Sequence, residues 1–230
     1  MNLDDAIASR RSMREFLPDP VSRDQVHRVL EIASRAPSGT NTQPWKVVVV
    51  AGEEQAKVTK AIMDYRLEEA KAAKPEETKM PRRYAEPYLS RRRKVGFDMY
   101  GLLGIEKGDK SAMWAQHGRN YEFFGAPVGL FFVVDRDLSQ ASWLDLGMLM
   151  QNVMLVAKQE GLDTCPQGAF LHYADLMHDV LDLDDTEQLA SGMSMGYADM
   201  SAPVNSLETE RVAVDEFSDF RGFQGVSGQN

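Results

Sequence analysis

The sequence contains a single cysteine among its 230 residues, which excludes an internal disulfide bond. A chain without disulfides is typical of a reducing compartment, so we expect a cytoplasmic protein. The N-terminal residues 1–5 have neither a basic segment nor an apolar one, and this absence argues against a secretory signal.

Long hydrophobic runs are also absent. The longest, 47–51 and 128–134, have the length of strands and are too short for a membrane-spanning helix. The formal net charge is −9, which disfavours a nucleic-acid-binding surface. We therefore expect neither membrane insertion nor nucleic-acid binding, and local clusters of arginine stand out against an acidic background.

Several familiar site motifs are missing. The chain has no Walker A loop, no G-x-S-x-G nucleophile elbow and no G-x-G-x-x-G dinucleotide fingerprint. Its four histidines, His27, His117, His172 and His178, do not have the spacing of metal ligands, so we expect no metal site.

The composition is that of a globular protein, with 43% hydrophobic residues. The length suits a single domain, which we assign to residues 1–221. The last residues, 222–230, are rich in Gly, Ser and Gln and are predicted to be disordered.

Hydrophobic periodicity predicts both helices and strands. Helices are expected at 4–12, from Ser22 to the break at Pro37, at 55–74, from Ser142 to Gly161, and at 173–183. Strands are expected at 46–51, 126–135, 162–165 and 188–197. Because these elements do not alternate strictly, the pattern favours an α+β fold with a mixed or mostly antiparallel sheet.

Three of these elements carry more detailed expectations. Ser22 is predicted to cap its helix with Gln25 in a capping box. Residues 46–51 are interpreted as a buried strand. The helix from Ser142 is expected to bury one side, formed by Trp143, Leu146, Gly147, Met150, Met154 and Ala157. This helix fits the core of a dimer and the core of a monomer equally well.

Residues 75–118 differ from their surroundings because they combine many charges with interleaved aromatic residues and weak apolar periodicity. We interpret this segment as a helical excursion outside the main core that could form a lid.

Two segments carry the chemistry. Residues 10–14 read Arg-Arg-Ser-Met-Arg, and residues 37–45 read Pro-Ser-Gly-Thr-Asn-Thr-Gln-Pro-Trp. Guanidinium groups match phosphate oxygens in charge and geometry, so the first segment suits a phosphate clamp. The alternative is that these arginines form a solvated helix end.

Together with residues 120–127, 161–168 and 205–211, these segments resemble the FMN-dependent nitroreductase family in the same order along the chain. The resemblance extends from about Asp4 to Phe217. It implies a three-layer fold, with a central sheet flanked by helices, and an intertwined homodimer that binds FMN at the subunit interface.

The resemblance also implies which residues bind the cofactor. Residues at the phosphate and ribityl end would be Arg10, Arg11, Ser12, Arg14 and Arg211. The loop that meets the flavin of the partner subunit would include Pro37, Ser38, Asn41 and Gln43. The segment over the flavin would be Pro166, Gln167 and Gly168, with a backbone N–H directed at flavin N5. Many members have Glu-Gly where this chain has Gly168-Ala169, so a role for that carboxylate is absent.

Cys165 lies beside this last segment. A redox thiol and a small buried apolar residue are both compatible with its position. The absence of a second cysteine favours the buried residue.

The implied reaction is ping-pong hydride transfer from NAD(P)H through flavin N5 to a nitroaromatic, nitrobenzoate or quinone-like acceptor. No side chain is assigned as a catalytic acid or base. The small aromatic acceptor would meet Tyr88, Arg92 and Tyr100. Alternatives with the same motifs are a reductive dehalogenase, a flavin-fragmenting relative and a non-enzymatic flavin-binding protein.

Overall fold

The computed structural model describes residues 1–72 and 84–223, and the described part contains one four-stranded sheet. Its strands are β1 (Trp45–Ala51), β2 (Val128–Asp135), β3 (Asp163–Gln167) and β4 (Glu187–Gly196). They lie in the order β1-β2-β4-β3, and each neighbouring pair is antiparallel. The mostly antiparallel sheet predicted from the sequence is therefore confirmed.

Helices cover both faces of this sheet. They are α1 (Leu3–Ser9), α2 (Arg23–Ala33), α3 (Gly52–Ala72), α4 (Tyr88–Leu102), α5 (Lys110–Gly118), α6 (Gln140–Gln159), α7 (Ala174–Val180) and α8 (Val214–Phe217). Helices α2 and α6 pack in one hydrophobic cluster, and α3 and α7 pack in a second cluster. The result is the expected three-layer α+β architecture.

Strand β2 shows why the layers form. Its side chains alternate between the two faces, so Leu130 and Phe132 join the cluster under α2 and α6, whereas Phe131 joins the cluster under α3 and α7. All three are fully buried. A continuous apolar run is thus required here because both faces are covered.

Two glycines permit close packing of aromatic rings on the sheet. A Cβ atom at Gly129 would lie 2.3 Å from the Phe123 ring, and one at Gly192 would lie 2.4 Å from the Phe170 ring. Neither contact is compatible with a larger residue, so these rings can rest directly on the strand backbone.

Several local predictions are confirmed. Ser22 and Gln25 form the reciprocal capping box at the start of α2. Gly161 follows α6 with a φ of 79°, the left-handed conformation that ends a helix. Strands β2 and β4 lie within about two residues of their predicted positions.

The interpretation of residues 46–51 as a buried strand was wrong. In the part of the chain that the structure describes, β1 is an edge strand that pairs with β2 alone, and Val50 is its single buried residue. Its Lys46 forms a 2.6 Å ion pair with Glu187 across the sheet surface. An apolar, β-branched run indicates a strand but does not distinguish an edge from the centre.

The predicted start and buried side of α6 were also wrong in part. The helix begins at Gln140 after Ser139, and Ser142 is buried inside it. In the single chain Trp143 is 40% exposed and Gly147 is exposed, so neither packs in the core of the subunit, and their place in a dimer core stays a prediction. The buried positions are Ser142, Asp145, Leu146, Leu149, Val153, Met154 and Ala157.

The helical character predicted for residues 75–118 is confirmed where the structure describes it, whereas 75–83 lie outside the described residues. Helix α4 has no buried residue and so stands outside the core. Helix α5 is attached to α3 by Arg66, whose guanidinium lies 4.4 Å from the Trp114 ring and 4.9 Å from the Tyr121 ring. A lid function for this region stays a prediction.

Two further expectations concern the termini and the membrane. Residues 224–230 of the predicted tail lie outside the described part of the chain, and the single-domain assignment stays a prediction. Among the helices that the structure describes, none has the length and apolar character needed to span a bilayer.

Candidate functional site

The Arg10–Arg14 segment is fixed along the outer edge of β3. Ser12 bridges Thr164, and the Met13 amide donates to the Thr164 carbonyl at 3.1 Å. The Arg14 amide donates to the side chain of Asn205 at 2.7 Å. Because the backbone is held at both points, the side chains of this segment have defined positions beside the end of the strand.

Three guanidinium groups converge at this edge without carboxylate partners. Among the described residues, no carboxylate lies within ion-pair distance of Arg10, Arg14 or Arg211. The guanidinium of Arg14 donates to the Ser12 carbonyl, and that of Arg211 donates to oxygens of Thr209 and Glu210.

The charges at this edge repel each other. Partial burial and the nearby Arg211 cation lower the pKa of Arg10 below its ordinary value. Excess positive charge at a defined place is the feature that a phosphate group would neutralise. The predicted clamp residues Arg10, Arg14 and Arg211 are therefore brought together.

Arg11 is used differently. Its guanidinium forms a 3.1 Å ion pair with Glu208, which occupies one of its donor groups. The neighbouring arginines have no such partner, so the structure distinguishes Arg11 from the rest of the predicted clamp.

Cys165 lies beneath the clamp and is 2% exposed. Burial raises the pKa of its thiol to about 11, despite the opposing effects of Arg14, Ser12 and Arg10. A thiol that stays protonated at neutral pH is a poor nucleophile. This environment favours the small buried residue over the redox thiol. Because Cys165 directly precedes Pro166, the clamp also lies beside Pro166.

The end of β3 is fixed by a buried hydrogen-bond network. Gln167 is 1% exposed, its Oε1 accepts from Ser194 at 2.7 Å, and its Nε2 donates to the Asn120 carbonyl at 2.6 Å. Its side chain thus points into the core, leaving only its backbone for a cofactor. The network fixes the peptide that leads into Gly168.

The loop of residues 37–43 has an unusual backbone. Thr40, Asn41 and Gln43 all have positive φ angles, of 49°, 60° and 49°. Within the loop, the Gln43 amide donates to Ser38 Oγ at 2.9 Å. Pro37, Asn41 and Gln43 are exposed and Ser38 is partly exposed, so the predicted loop residues are available to a ligand.

The loop and the clamp occupy opposite edges of the sheet. The loop leads into β1 at one edge, whereas the clamp runs along β3 at the other edge. Strands β2 and β4 lie between them. Three strand spacings amount to roughly 14 Å. A single chain therefore keeps the two halves of the predicted site apart.

Among the residues that the structure describes, Tyr88, Arg92 and Tyr100 do not line the cleft beside α4. Tyr88 and Arg92 are exposed on α4 one turn apart, and Tyr100 is partly buried about two turns beyond Arg92. The guanidinium of Arg92 lies 5.1 Å from the Tyr84 ring, and that of Arg91 lies 5.9 Å from the Tyr88 ring.

A cleft of about 510 Å³ lies between α4 and the C-terminal segment. Its lining includes Arg91, Lys94 and Arg211, so it adjoins the clamp. Lys94 is already paired with Asp98 at 2.8 Å and with Glu210 at 3.4 Å.

The sequence did not predict the buried residues that support the site through hydrogen bonds to its backbone and side chains. Asn205 is 2% exposed, accepts from Arg14, and donates to the carbonyls of Glu15 and Asp199 at 2.8 Å. Ser194 has the same supporting function for Gln167. Asn205 lay within a recognised segment, but no pattern indicated its contacts. The described residues contain no cluster of three or more potential metal ligands.

Comparisons with known proteins agree with this geometry. The model of the Nitroreductase family matches residues 7–197. The chain is 41% identical over 222 residues to the 4-nitrobenzoate reductase of Pseudomonas putida, with 96% of each chain covered.

Solved structures give the same result. The FMN and NADPH-dependent nitroreductase NfnB from Sphigopyxis sp. strain HMH superposes with a TM-score of 0.92, 41% identity, and coverage of 97% of this chain and 100% of that one. The FMN-dependent nitroreductase NfnB from Mycobacterium smegmatis, in complex with NADPH, gives 0.87 and 30%, with 94% and 96% covered. The chain therefore belongs to the nitroreductase family.

Proposed function

We propose that this protein is an NAD(P)H-dependent FMN oxidoreductase that reduces nitroaromatic compounds. The observation that carries the proposal is the group of three guanidiniums without carboxylate partners, Arg10, Arg14 and Arg211, at the edge of β3. In a chain of the nitroreductase family, this group fits the phosphate of FMN. A phosphate with a charge near −2 would accept charged hydrogen bonds from all three.

Each part of the site has a defined task in this proposal. The arginines and Ser12 hold the phosphate and ribityl end, and Arg11 contributes less because Glu208 shares its charge. The Gly168 amide, fixed by the Gln167 network, is the backbone donor for the flavin ring. A fixed donor requires no reorganisation during the reaction.

When bound, FMN would supply the redox chemistry, which is the transfer of a hydride from NAD(P)H to the acceptor. The chain itself binds and orients the reactants and contributes no proton-transferring side chain. Cys165 remains a buried thiol and takes no part.

The complete site requires two copies of the chain. Because the loop of residues 37–43 and the clamp lie at opposite sheet edges, we propose a homodimer in which the loop of one subunit meets the FMN held by the other. Exposed apolar residues on α1 and α6 support this assembly. They include Leu3, Ile7, Leu144 and Met148, which are 65%, 51%, 72% and 38% exposed.

We propose a small aromatic acceptor, with a nitrobenzoate as the first candidate. The Pseudomonas putida relative is named for that substrate. A carboxylate on the acceptor requires a cation, and Arg92 is a suitable one because among the described residues its interaction is with the Tyr84 ring rather than with a carboxylate. Tyr88 and Tyr100 would supply aromatic surface.

Two finer points belong to the same proposal. The single buried cysteine supports a cytoplasmic location. Reductive dehalogenation, flavin fragmentation and simple flavin binding use similar cofactor contacts, but no contact described above favours them over nitroreduction.

A visible spectrum of the purified protein tests the proposal, followed by anaerobic addition of NADPH or NADH and then 4-nitrobenzoate. We expect a flavin spectrum that bleaches with the nicotinamide and recovers with the nitroarene. A colourless protein that takes up no added FMN would refute the cofactor assignment. A flavin that bleaches but does not recover would refute nitroreduction.

A further inference from the structure

The loop of residues 37–43 adopts a conformation that its own sequence disfavours. Thr40, Asn41 and Gln43 lie in the left-handed region, which costs about 1 kcal/mol or more for each non-glycine residue. The loop is also largely exposed, so little buried surface compensates for this cost. Contacts with the rest of the protein must therefore hold the loop in place.

Most hydrogen bonds of the loop are internal. Ser38 accepts from Asn41 through its carbonyl and from Gln43 through its hydroxyl, and the Thr42 amide donates to the Gly39 carbonyl. Among the described residues, one hydrogen bond reaches outside the loop: the Gly39 amide donates to Asp145 Oδ2 at 3.1 Å.

Asp145 is an unusual residue for its place. It lies in the second turn of α6, it is 7% exposed, and no described cation lies within ion-pair distance of it. A buried carboxylate without a cation is costly, and an apolar residue would suit this face of the helix better. Residues that break a packing rule in this way are often kept for function.

The position of α6 explains what Asp145 connects. Its buried side packs on the sheet, and its exposed side carries Leu144 and Met148 of the proposed dimer surface. The loop packs against the same helix, where Asn152 also donates to the Ala33 carbonyl at 3.2 Å. One rigid helix therefore contacts the subunit interface, the sheet and the loop.

We propose that Asp145 is a positioning residue that holds the Pro37–Gln43 loop, through the Gly39 amide, in the conformation that contacts the flavin of the partner subunit. This inference rests on the proposed FMN function. Asp145 itself touches neither the cofactor nor the acceptor. It fixes the backbone of the loop so that no ordering is required when FMN binds.

The test compares Asp145→Ala, which removes the acceptor, with Asp145→Asn, which keeps an amide oxygen at the same place. Two quantities are measured on the purified protein: hydrogen–deuterium exchange of peptides that cover residues 37–43, and the dissociation constant for FMN. We expect Asp145→Ala to accelerate loop exchange and to weaken FMN binding, each by roughly ten-fold or more. Asp145→Asn should stay within about three-fold of the wild type.

Ser142→Ala is the matched control, since Ser142 is equally buried one turn earlier on α6 but, among the described residues, forms no hydrogen bond with the loop. It should leave loop exchange unchanged. If Asp145→Ala does not fold, Asp145→Ser replaces it, because its shorter side chain cannot reach the Gly39 amide.

Three results would overturn the inference. These are wild-type exchange and affinity in Asp145→Ala, equal losses in Asp145→Asn, or equally fast loop exchange in Ser142→Ala. A wild-type protein that binds no FMN would instead refute the proposed function. Hydrogen–deuterium exchange of residues 37–43, compared between the wild type and Asp145→Ala without FMN, would still decide whether Asp145 anchors the loop.

Discussion

Individual arginines in this chain differ in whether their charge is already neutralised. Arg28 is paired with Glu160 at 2.8 Å, and Arg119 is paired with both Glu15 and Glu122. Arg14 and Arg211 have no such partners among the described residues and lie at the edge of β3. Unpaired guanidiniums at a fixed site are available to an anion, whereas paired ones already have their partners.

This difference predicts that Arg14→Ala or Arg211→Ala weakens FMN binding. Loss of one charged hydrogen bond should cost about 1.5–3 kcal/mol, which is roughly a 10- to 150-fold increase in the dissociation constant. The dissociation constant is measured from the quenching of FMN fluorescence. Arg28→Ala is the control and should bind FMN normally, because the charge of Arg28 is already neutralised by Glu160. Unchanged affinity in both clamp variants would contradict the phosphate assignment.

The buried Gln167 network predicts a second effect at this scale. In Gln167→Met, the Ser194 hydroxyl and the Asn120 carbonyl lose their partner inside the core. Such unsatisfied groups should lower the free energy of unfolding by about 2–4 kcal/mol. Urea denaturation with FMN present would measure this loss.

The double variant Gln167→Met/Ser194→Ala provides the control, because it also removes the Ser194 hydroxyl that the single variant leaves without a hydrogen-bond partner. It should be more stable than Gln167→Met alone. If the single and double variants lose the same stability, the bond between Gln167 and Ser194 does not fix the end of β3.

At the scale of helices and strands, features set by adjacent residues could be predicted from the sequence, whereas the position of a strand in the sheet could not. The capping box of Ser22 and Gln25, the stop at Gly161 and the apolar run of β2 each depend on a few adjacent residues. Whether β1 lies at an edge depends on which strands pair with it, and its own residues do not encode that.

The candidate site shows the same division. The arginine segment and the 37–43 loop could be recognised because their residue types directly suit a phosphate and a turn. Asn205 and Asp145 could not, because each acts through a hydrogen bond to a residue far away along the chain. Such contacts become visible only when the fold brings the two segments together.

Helix α5 carries a pH-dependent contribution to stability. Partial burial, the Arg66 cation and His172 lower the pKa of His117 to about 4. The unfolded chain takes up a proton near pH 6.5, whereas the folded one does so only near pH 4. The contribution of His117 to the free energy of unfolding is therefore complete above pH 6.5, and it is lost as the pH falls from 6.5 to 4.

Replacing His117 by Gln should flatten this dependence. Because His117 is more than a third exposed, solvent screening reduces the effect to about 1 kcal/mol. Urea unfolding at pH 7.5 and pH 4.5 measures it, and the wild type should lose more stability than the variant between the two. His172, whose pKa is also lowered, is present in both proteins and provides a common background. Equal losses in the two proteins would show that folding does not lower the pKa of His117.

The arrangement of the whole molecule supports the proposed homodimer. The clamp and the loop lie at opposite edges of the sheet, and the apolar side chains of Leu3, Ile7 and Leu144 are exposed on adjoining helices. The C-terminal segment adds Val214, Phe217 and Phe220, which are 54%, 69% and 62% exposed. Exposed large apolar side chains on α1 and α6, and others on the C-terminal segment, support the proposed interface with another chain.

A charge placed on this surface should separate the subunits and with them the two halves of the site. Leu144 is 72% exposed in the single chain, so Leu144→Asp removes little buried surface from the subunit itself but places a carboxylate inside the proposed interface. We expect a shift from dimer to monomer in light scattering coupled to size-exclusion chromatography. FMN affinity should fall with it, because the loop of the partner is lost.

Leu67→Asp is the matched control for this prediction. Leu67 is 48% exposed on α3, on the opposite side of the sheet, so its replacement should leave both mass and FMN affinity unchanged. A Leu144→Asp protein that remains a dimer would place the interface elsewhere. A monomer that still binds FMN with wild-type affinity would show that one chain holds the cofactor alone, and the loop anchored by Asp145 would then need another purpose.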